Sequence, residues 1–518
     1  MRGLSCFSVS AFIALCYCST AQAQNSSQSP ASDPLLVTAT AACTQISTSL
    51  GSSKVQSTIS GPLYSLGANN AWSAFNREVN FQPTCIVFVN STHDVQIAMK
   101  AIYKNNANYA VQSGGHSGMI GWNTIQNGVL ISFLNMNATS YNPKKDTITM
   151  QPGIRWGDAL NILEPHGVAA TNSDVGTALL LGGGLSYLSP AYGYAADTYV
   201  SLDVVLVNGD MVTATVDNKY ADLFKALKGG GNRFGIVTSY EVQAVHTGRE
   251  SDKHFWGGIV LYPNSSIEAL LPAIAHFAHS TSDTKAVLAT DFIASWTNSS
   301  NPEITVQFEM YYNGTSDAFN QSFKELLSIP HTSASLGPLS YIDMIDLVNF
   351  PSGDGNIFSG SVLQGAQANS SSSAAIEDQY LETYRLFSNF TSTFASSTEL
   401  NTALLSFTPV LESQIRIGYQ KGGNAISPPQ GKGGFNQILF ALTFNEGVDQ
   451  IPALIEQGRE HWIAKTPVTP GLPLFLNEAD ANQDILQSYG EYNFLKKTFS
   501  KYDPSSFNVK HAQGPSGL

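Results

Sequence analysis

The sequence is poor in charged residues, and what it lacks already limits the class of protein. Only 13% of its 518 residues are charged, and the formal net charge is -13 at pH 7. A chain with this charge is repelled by nucleic acid and by anionic lipid, so neither is an expected partner. Beyond the N-terminal segment no apolar run reaches about 18 residues, so we expect no membrane-spanning helix. We predict no metal site.

The N-terminal residues 1–23 have the pattern of a secretory signal peptide. Arg2 provides the positive charge, a short apolar core covers residues 4–18, and Ala21-Gln22-Ala23 is a small-x-small cleavage site. We therefore expect the protein to be secreted after cleavage behind Ala23. A retained N-terminal anchor is the alternative.

Cysteine is also scarce, and of the 5 cysteines only Cys43 and Cys85 lie beyond the signal peptide. In an oxidising compartment this pair is expected to form one disulfide, whereas two unpaired buried thiols would be unusual there. Sequons for N-glycosylation support secretion, and we expect glycans on some of them. They lie at Asn25, Asn90, Asn137, Asn264, Asn298, Asn313, Asn320, Asn369 and Asn389.

A glycine-containing loop is the most informative stretch. Gln112-Ser113-Gly114-Gly115-His116-Ser117-Gly118 precedes an apolar run at residues 128–132, as a loop between two buried strands would. Adjacent glycines allow main-chain N–H groups to approach an anionic group such as a diphosphate. The histidine beside them can ligate a metal, transfer a proton or bond covalently to a cofactor. Taken alone, the pattern is more typical of a surface turn with a bystander histidine.

Further motifs follow in a set order. They are Leu181-Gly182-Gly183-Gly184-Leu185, Gly229-Gly230-Gly231-Asn232 followed by Phe234-Gly235-Ile236-Val237, and Lys501-Tyr502-Asp503-Pro504. No G-x-G-x-x-G fingerprint follows a predicted strand, which excludes a Rossmann reading. Together the motifs resemble the FAD-linked oxidoreductases of the vanillyl-alcohol-oxidase superfamily, and most of all the fungal secreted form of the berberine-bridge-enzyme-like branch. The resemblance is strong over residues 80–247, moderate over 474–507 and weak between them.

The resemblance implies FAD as the cofactor, with His116 matching the histidine that carries the flavin through its 8α-methyl group. It implies a single attachment, because Asn172 stands where some members have a second tethering cysteine. Non-covalent FAD beside His116 is the alternative. The residues implied to bind FAD are His116, Gln112, Ser113, Gly114, Gly115, Ser117, Gly118, Asp174, Val175, Gly176, Gly182, Gly183, Gly184, Gly235, Ile236, Val237, Asn477 and Asn493.

The fold class that follows is α+β. The resemblance implies a PCMH-type FAD-binding domain of two small subdomains, and a substrate domain in which helices back an antiparallel sheet. The predicted divisions are a signal peptide (1–23), an N-terminal arm (24–77), the FAD-binding domain (78–248), the substrate domain (249–467) and a C-terminal segment that returns to the FAD-binding domain (468–518).

A catalytic base is harder to assign. Flavin oxidation removes a hydride and a proton, and the proton needs an acceptor near the substrate. Residues 303–312 alternate as a strand, with Gln307 and Glu309 on a polar face that would line the substrate cavity. Plant members use a glutamate after a Gly-Gly pair, but residues 422–427 contain no acid. The candidates left open are Tyr419, Glu309 and Tyr311.

The function that the sequence predicts is oxidation of a small organic molecule by hydride transfer to flavin. We expect O2 to reoxidise the flavin and give H2O2, plausibly in fungal secondary metabolism, in a monomeric enzyme. An extracellular carbohydrate oxidase is the alternative. A flavin-binding protein without catalysis is the alternative from another class.

Overall fold

The computed structural model describes residues 33–57, 62–171, 177–296, 301–347, 354–371 and 373–518. The predicted signal peptide lies outside the described residues, as do Asn25 and Asn298. Of the predicted FAD-binding residues, Asp174, Val175 and Gly176 lie outside them as well. Within these ranges no helix is both long and apolar enough to cross a membrane.

The chain forms helices and strands throughout its length. The α-helices are α1 Pro34–Leu50, α2 Pro62–Ala68, α3 Thr92–Asn105, α4 Trp156–Leu163, α5 Ser189–Tyr192, α6 Ala221–Ala226, α7 Ile267–Ser280, α8 Ser316–Ser322, α9 Lys324–Ser328, α10 Tyr341–Asp346, α11 Ala374–Thr393, α12 Glu412–Gln420, α13 Ala453–Lys465, α14 Tyr492–Tyr502 and α15 Phe507–His511. The strands are β1 Val55–Gln56, β2 Cys85–Phe88, β3 Tyr109–Gln112, β4 Val129–Ser132, β5 Thr139–Asn142, β6 Thr147–Met150, β7 Val168–Ala169, β8 Tyr199–Val205, β9 Met211–Ala214, β10 Ile236–Gln243, β11 Val245–His246, β12 Phe255–Tyr262, β13 Ala286–Ser295, β14 Glu303–Asn313, β15 Ser333–Leu339, β16 Gly355–Gln364, β17 Leu400–Val410 and β18 Phe435–Phe444.

A small sheet of order β1-β2-β4-β3 forms the first layer. Its strands β2, β4 and β3 are parallel, so α3 crosses over between β2 and β3. The side chain of Ser91 caps α3 by accepting from the Asp94 N–H at 3.2 Å, and Asn106 ends the helix in the left-handed conformation. Helix α1 packs against α3. The predicted disulfide is confirmed, because Cys43 of α1 is bonded to Cys85 of β2.

An antiparallel sheet of order β5-β6-β10-β8-β9 follows. Strands β8 and β9 form a hairpin through the Asn208-Gly209 turn, where Gly209 has a φ of 84°. Trp156 of α4 and Phe224 of α6 belong to the same buried apolar cluster as this sheet. The two small sheets together form the part of the chain that precedes residue 248.

The third layer is a seven-stranded antiparallel sheet of order β15-β12-β14-β13-β17-β18-β16. Helices α7, α11 and α13 pack on one face of it. Burial alternates along β13, so residues such as Leu288 and Phe292 face the helices and Asp291 faces the other way. A sheet covered on one face by helices leaves its second face available for a cavity. The predicted α+β fold class is confirmed.

The C-terminal segment returns to the first two sheets. Helix α14 lies against α6, where Lys501 forms an ion pair of 2.6 Å with Asp222. The buried Arg233, just before β10, donates to the carbonyl oxygens of Ala512, Gly514 and Pro515 at 2.7–2.9 Å. These hydrogen bonds fix the last residues against the loop that leads into β10.

Candidate active site

The β3–β4 loop carries the histidine, and segments far along the chain hold it in place. Gly115 has a φ of 85°, and a Cβ there would overlap the main-chain oxygen of Asn70. The Trp72 N–H donates to the Gly115 carbonyl at 2.9 Å, and Asn123 Nδ2 donates to the same oxygen at 2.8 Å. The buried Gln112 donates from Nε2 to the Asn123 carbonyl at 3.3 Å. The loop is therefore packed on both sides, which excludes the surface turn considered above.

A first cavity of about 1200 Å³, counted with its open mouth, lies along this loop. It takes its walls from parts of the chain that are far apart in the sequence. The lining includes Ser113, Gly115, His116, Ser117, Gly118, Leu179, Gly182, Gly231, Asn232, Gly235, Ile236, Val237, Asn477, Asn508 and Pro515. Neither lysine nor arginine is among its described lining residues. An anion in this cavity would be held by main-chain and side-chain dipoles.

A second, larger cavity of about 2290 Å³ lies under the open face of the seven-stranded sheet. Its polar lining includes Asp291, Gln307, Glu309, Ser406, Thr408, Asn356 and Glu478. Most of the remaining lining is apolar, as in pockets for small organic ligands. The two cavities share His116, Leu179, Phe358 and Asn477 in their linings, so they meet at the histidine.

His116 stands at this junction between aromatic rings. Its ring centroid lies 4.2 Å from that of Trp72 and 6.2 Å from that of Phe358. Burial, together with the positive charge of Arg155, lowers the pKa of His116 to about 4. The imidazole is therefore neutral at ordinary pH and keeps a nitrogen lone pair for bond formation.

Two half-buried carboxyl groups that the sequence did not single out as bases line the second cavity. Burial raises the pKa of Asp291 to about 6, against a hydrogen bond from Ser406 that lowers it. Burial, together with the negative charge of Asp291, raises the pKa of Glu478 to about 7. The Oε2 atom of Glu478 is buried and has no hydrogen-bond partner among the described residues. The sequence contains two signals that could have identified these residues. One is an acidic residue, Asp291, within a largely apolar segment, and the other is an acidic residue next to Asn477.

The structure brings most of the predicted FAD-binding residues together. Those that line the first cavity are His116, Ser113, Gly115, Ser117, Gly118, Gly182, Gly235, Ile236, Val237 and Asn477. Asn477 also donates from Nδ2 to the Leu179 carbonyl at 2.9 Å, and a Cβ on Gly182 would overlap its side chain. This hydrogen bond ties the C-terminal segment to the junction of the cavities.

Other residues that were predicted to bind FAD do not line the first cavity. Gln112 and Gly114 lie in the loop but outside the cavity lining. A Cβ on Gly183 would meet the Ile426 side chain at 2.6 Å, and one on Gly184 would meet Ala195 at 2.7 Å. Those glycines permit close packing between loops, and they do not contact either cavity.

Asn493 does not reach the cofactor cavity. It lies in the first turn of α14, where it is exposed to solvent. Asn493 is therefore corrected from a predicted flavin contact to a surface residue.

The three predicted bases are distributed differently. Glu309 lines the second cavity and accepts from Gln307 Nε2 at 2.6 Å. Tyr311 lies on the same strand face but is fully buried against Tyr187, so it is not exposed to either cavity. Tyr419 is 39% exposed at the end of α12, and its hydroxyl bonds Ser427 at 2.8 Å. The structure therefore removes Tyr311 and Tyr419 from the candidates.

Comparison with known proteins identifies the family. A model of the FAD binding domain matches residues 83–215. An FAD-dependent monooxygenase of Arthrobotrys oligospora is 30% identical over 437 residues, which covers 82% of this chain and 80% of the relative. The chain belongs to the FAD-linked oxidoreductases of the vanillyl-alcohol-oxidase superfamily. Another family member, an uncharacterised FAD-linked oxidoreductase of Arthroderma benhamiae, is 32% identical over 283 residues, which is 54% of each chain.

Solved structures of FAD-linked oxidoreductases share this fold. The 6-hydroxy-D-nicotine oxidase of Arthrobacter nicotinovorans has a TM-score of 0.71 at 20% identity, covering 89% of this chain and 97% of that one. Berberine bridge enzyme of Eschscholzia californica has a TM-score of 0.70 at 13% identity, covering 92% and 99%. The carbohydrate oxidase of Microdochium nivale has a TM-score of 0.70 at 19% identity, covering 91% and 100%. The predicted family resemblance is confirmed.

The first cavity fits FAD by its chemistry as well. The Oδ1 atoms of Asn123 and Asn232 are buried acceptors without a partner among the described residues. Their Nδ2 atoms donate to Gly115 and Gln513 at 2.8 Å, which fixes the orientation of both amides. An unpaired buried acceptor destabilises a protein unless a ligand supplies the donor. The hydroxyl and N–H groups of FAD are donors of this kind.

Proposed function

We propose that this FAD-dependent oxidoreductase is secreted and oxidises a small organic molecule, with its flavin bound covalently to His116 alone. The observation that carries the proposal is the position of His116 in the lining of both cavities. The first cavity would hold the phosphates and nucleotide of an FAD attached there, and the residues of the second cavity would then face its ring. A neutral imidazole, buried and flanked by Trp72, is the form of histidine that can act as a nucleophile.

The residues of the chain then divide the work between the cavities. When bound, FAD supplies a two-electron acceptor for a hydride. The main chain around Gly115 and the amides of Asn123 and Asn232 bind its polar groups. Asn477, held by the Leu179 carbonyl, positions the C-terminal segment at the junction. The apolar walls of the second cavity hold the substrate and exclude water around it.

Three observations support secretion and oxygen as the acceptor. The Cys43–Cys85 disulfide is of the kind that persists in an oxidising compartment. Every sequon asparagine among the described residues is exposed, so each is accessible for a glycan. The neighbours of known structure include oxidases. We propose O2 as the acceptor, H2O2 as the product, a monomeric state and a role in fungal secondary metabolism.

Acid precipitation of the purified protein tests the attachment. The wild-type pellet is expected to stay yellow, because a covalent flavin remains with the denatured chain. The His116→Ala variant is expected to release its flavin to the supernatant. His254→Ala changes an exposed histidine outside both cavities, and its pellet should stay yellow. A yellow His116→Ala pellet, or a colourless wild-type pellet, contradicts the attachment.

A peroxide assay over amines, alcohols and sugars tests the reaction. Peroxide with amines or alcohols supports the proposal, and peroxide with sugars alone favours the carbohydrate oxidase. Substrate loss without peroxide, with oxygen recovered in the product, would identify a monooxygenase. A flavin that none of these compounds reduces under anaerobic conditions would favour the non-catalytic alternative.

A further inference from the structure

We propose that Asp291 and Glu478 together form the proton acceptor of the reaction, and that they take the proton from an O–H or N–H group of a neutral or cationic substrate. The proposal deepens the proposed function and rests on it. Neither residue was a candidate from the sequence pattern, and both reach the second cavity from different parts of the fold.

Asp291 lines the second cavity from the central strand of the seven-stranded sheet. It lies on β13, opposite Ser406 of β17 and opposite Gln307 of β14 in the strand register. Ser406 donates to its carboxylate. Residues paired across neighbouring strands project from the same face, so Asp291 is surrounded by polar side chains on an otherwise apolar wall. The neutral side chain of Gln307 donates a hydrogen bond to Glu309.

Glu478 enters the cavity from the C-terminal segment. It follows Asn477, which lines both cavities and thus adjoins the position proposed for the flavin ring. The segment is held rigidly, because Arg459 bonds Asp480 at 2.8 Å and the Gln483 side chain bonds both the N–H and the carbonyl of Gly360. Glu478 itself keeps Oε2 unpaired and buried. A rigid carboxyl group with a free oxygen, next to the reacting centre, has the geometry of a base.

The titratable groups around Asp291 and Glu478 lie in several walls of the second cavity. The titratable groups in its described lining are His116 of the glycine loop, Tyr187, Asp291, Glu309 and Glu478. The described lining contains no lysine or arginine, and the imidazole is neutral. Two carboxyl groups that lack a cation cannot both ionise easily, so they share one proton and one negative charge near neutral pH. An anionic substrate would be repelled.

The proton and the electrons balance in a single oxidation. The substrate O–H or N–H bond breaks, and its proton goes to the ionised carboxylate of the pair. The electron pair of that bond forms the C=O or C=N bond of the product, as the adjacent C–H bond gives its hydride to the oxidised flavin. The pair then holds two protons and returns one to water before the next turnover.

Anaerobic stopped-flow reduction of the flavin tests the role directly, with the best amine or alcohol from the peroxide assay as substrate. In the wild type the rate should rise as pH increases through the range of about 6 to 7 in which the pair ionises. Glu478→Gln and Asp291→Asn should each lower the rate of flavin reduction by about 100-fold or more. In both variants the rate should also depend less on pH. Glu382→Gln, an exposed helix residue paired with Arg385, should behave as the wild type.

Infrared spectroscopy gives a readout that does not depend on turnover. At pH 6 the wild-type holoenzyme should show the C=O stretch of a buried protonated carboxyl group, and either substitution should remove intensity from it. Asp197, another buried acid with a raised pKa, should contribute equally to all the spectra.

The outcomes separate the two proposals. Variants that keep the wild-type rate, its rise with pH and its infrared band overturn the acid pair, as does loss of both signals in Glu309→Gln alone. A wild-type protein whose flavin is not reduced by any compound contradicts the proposed function itself.

Discussion

Removing the Glu478 carboxyl group should make the protein more stable at neutral pH. In the folded state burial and the negative charge of Asp291 raise the pKa of Glu478 from 4.5 to about 7. Each pKa unit is worth about 1.4 kcal/mol, so the shift corresponds to roughly 3 kcal/mol for a fully ionised group. The folded state binds the proton more tightly than the unfolded state. This contribution to stability is therefore complete below about pH 4.5 and is lost as pH rises through about 7.

Glutamine carries no titrating proton, so the Glu478→Gln variant escapes this loss. Relative to the wild type, its free energy of unfolding should be similar near pH 4.5 and higher by up to roughly 3 kcal/mol at pH 8. Part of the shift comes from the charge of Asp291, so the gain should be smaller in an Asp291→Asn background. A residue that destabilises its own fold is typical of a functional site.

Urea unfolding of holoenzyme at a series of pH values measures the difference. The exposed Glu382→Gln variant is the matched control, and its difference from the wild type should not vary with pH. The opposite result is a free energy of unfolding of Glu478→Gln, relative to the wild type, that is constant from pH 4.5 to 8. That result would mean that the carboxyl group does not have the raised pKa described above, and it would refute the reasoning.

Three further substitutions test the support of the site. Gly115→Ala forces a Cβ onto the Asn70 carbonyl, so we expect loss of bound flavin, measured by absorbance, and a lower melting temperature; unchanged flavin content would contradict the packing. Replacing Cys43 and Cys85 by serine should cost about 3–4 kcal/mol in urea unfolding, as expected for a closed loop of this sequence separation, 42 residues. Arg459→Met leaves a buried carboxylate unpaired, so we expect a loss of about 3–5 kcal/mol in the same assay.

The local parts of the fold were predictable because their signals are local. The apolar run at residues 128–132 predicts a buried strand from neighbouring residues alone, and the structure confirms it as β4, with β3 on the other side of the loop. The loop that carries His116 follows from two strands and adjacent glycines. The alternation of polar and apolar residues along β14 is also a local pattern. It places Gln307 and Glu309 on the strand face that lines the second cavity.

The base candidates and several glycines depend on contacts that no local pattern contains. Asp291 and Glu478 are far apart in the sequence, and they line one cavity because the C-terminal segment adds to the wall formed by the seven-stranded sheet. Gly183 and Gly184 resemble cofactor-contacting glycines, yet their close neighbours are Ile426 and Ala195. Tyr419 has a plausible residue type, but the end of α12 presents it to solvent.

The hydrogen bonds of Arg233 have a consequence for biosynthesis. Residues near the C-terminus, including Asn508 and Pro515, form one wall of the first cavity, and Arg233 donates hydrogen bonds to both of them. A nascent chain still attached to the ribosome has not yet placed these residues, so it has no complete pocket to fill. We therefore expect loading with FAD to follow the synthesis of residues 508–515.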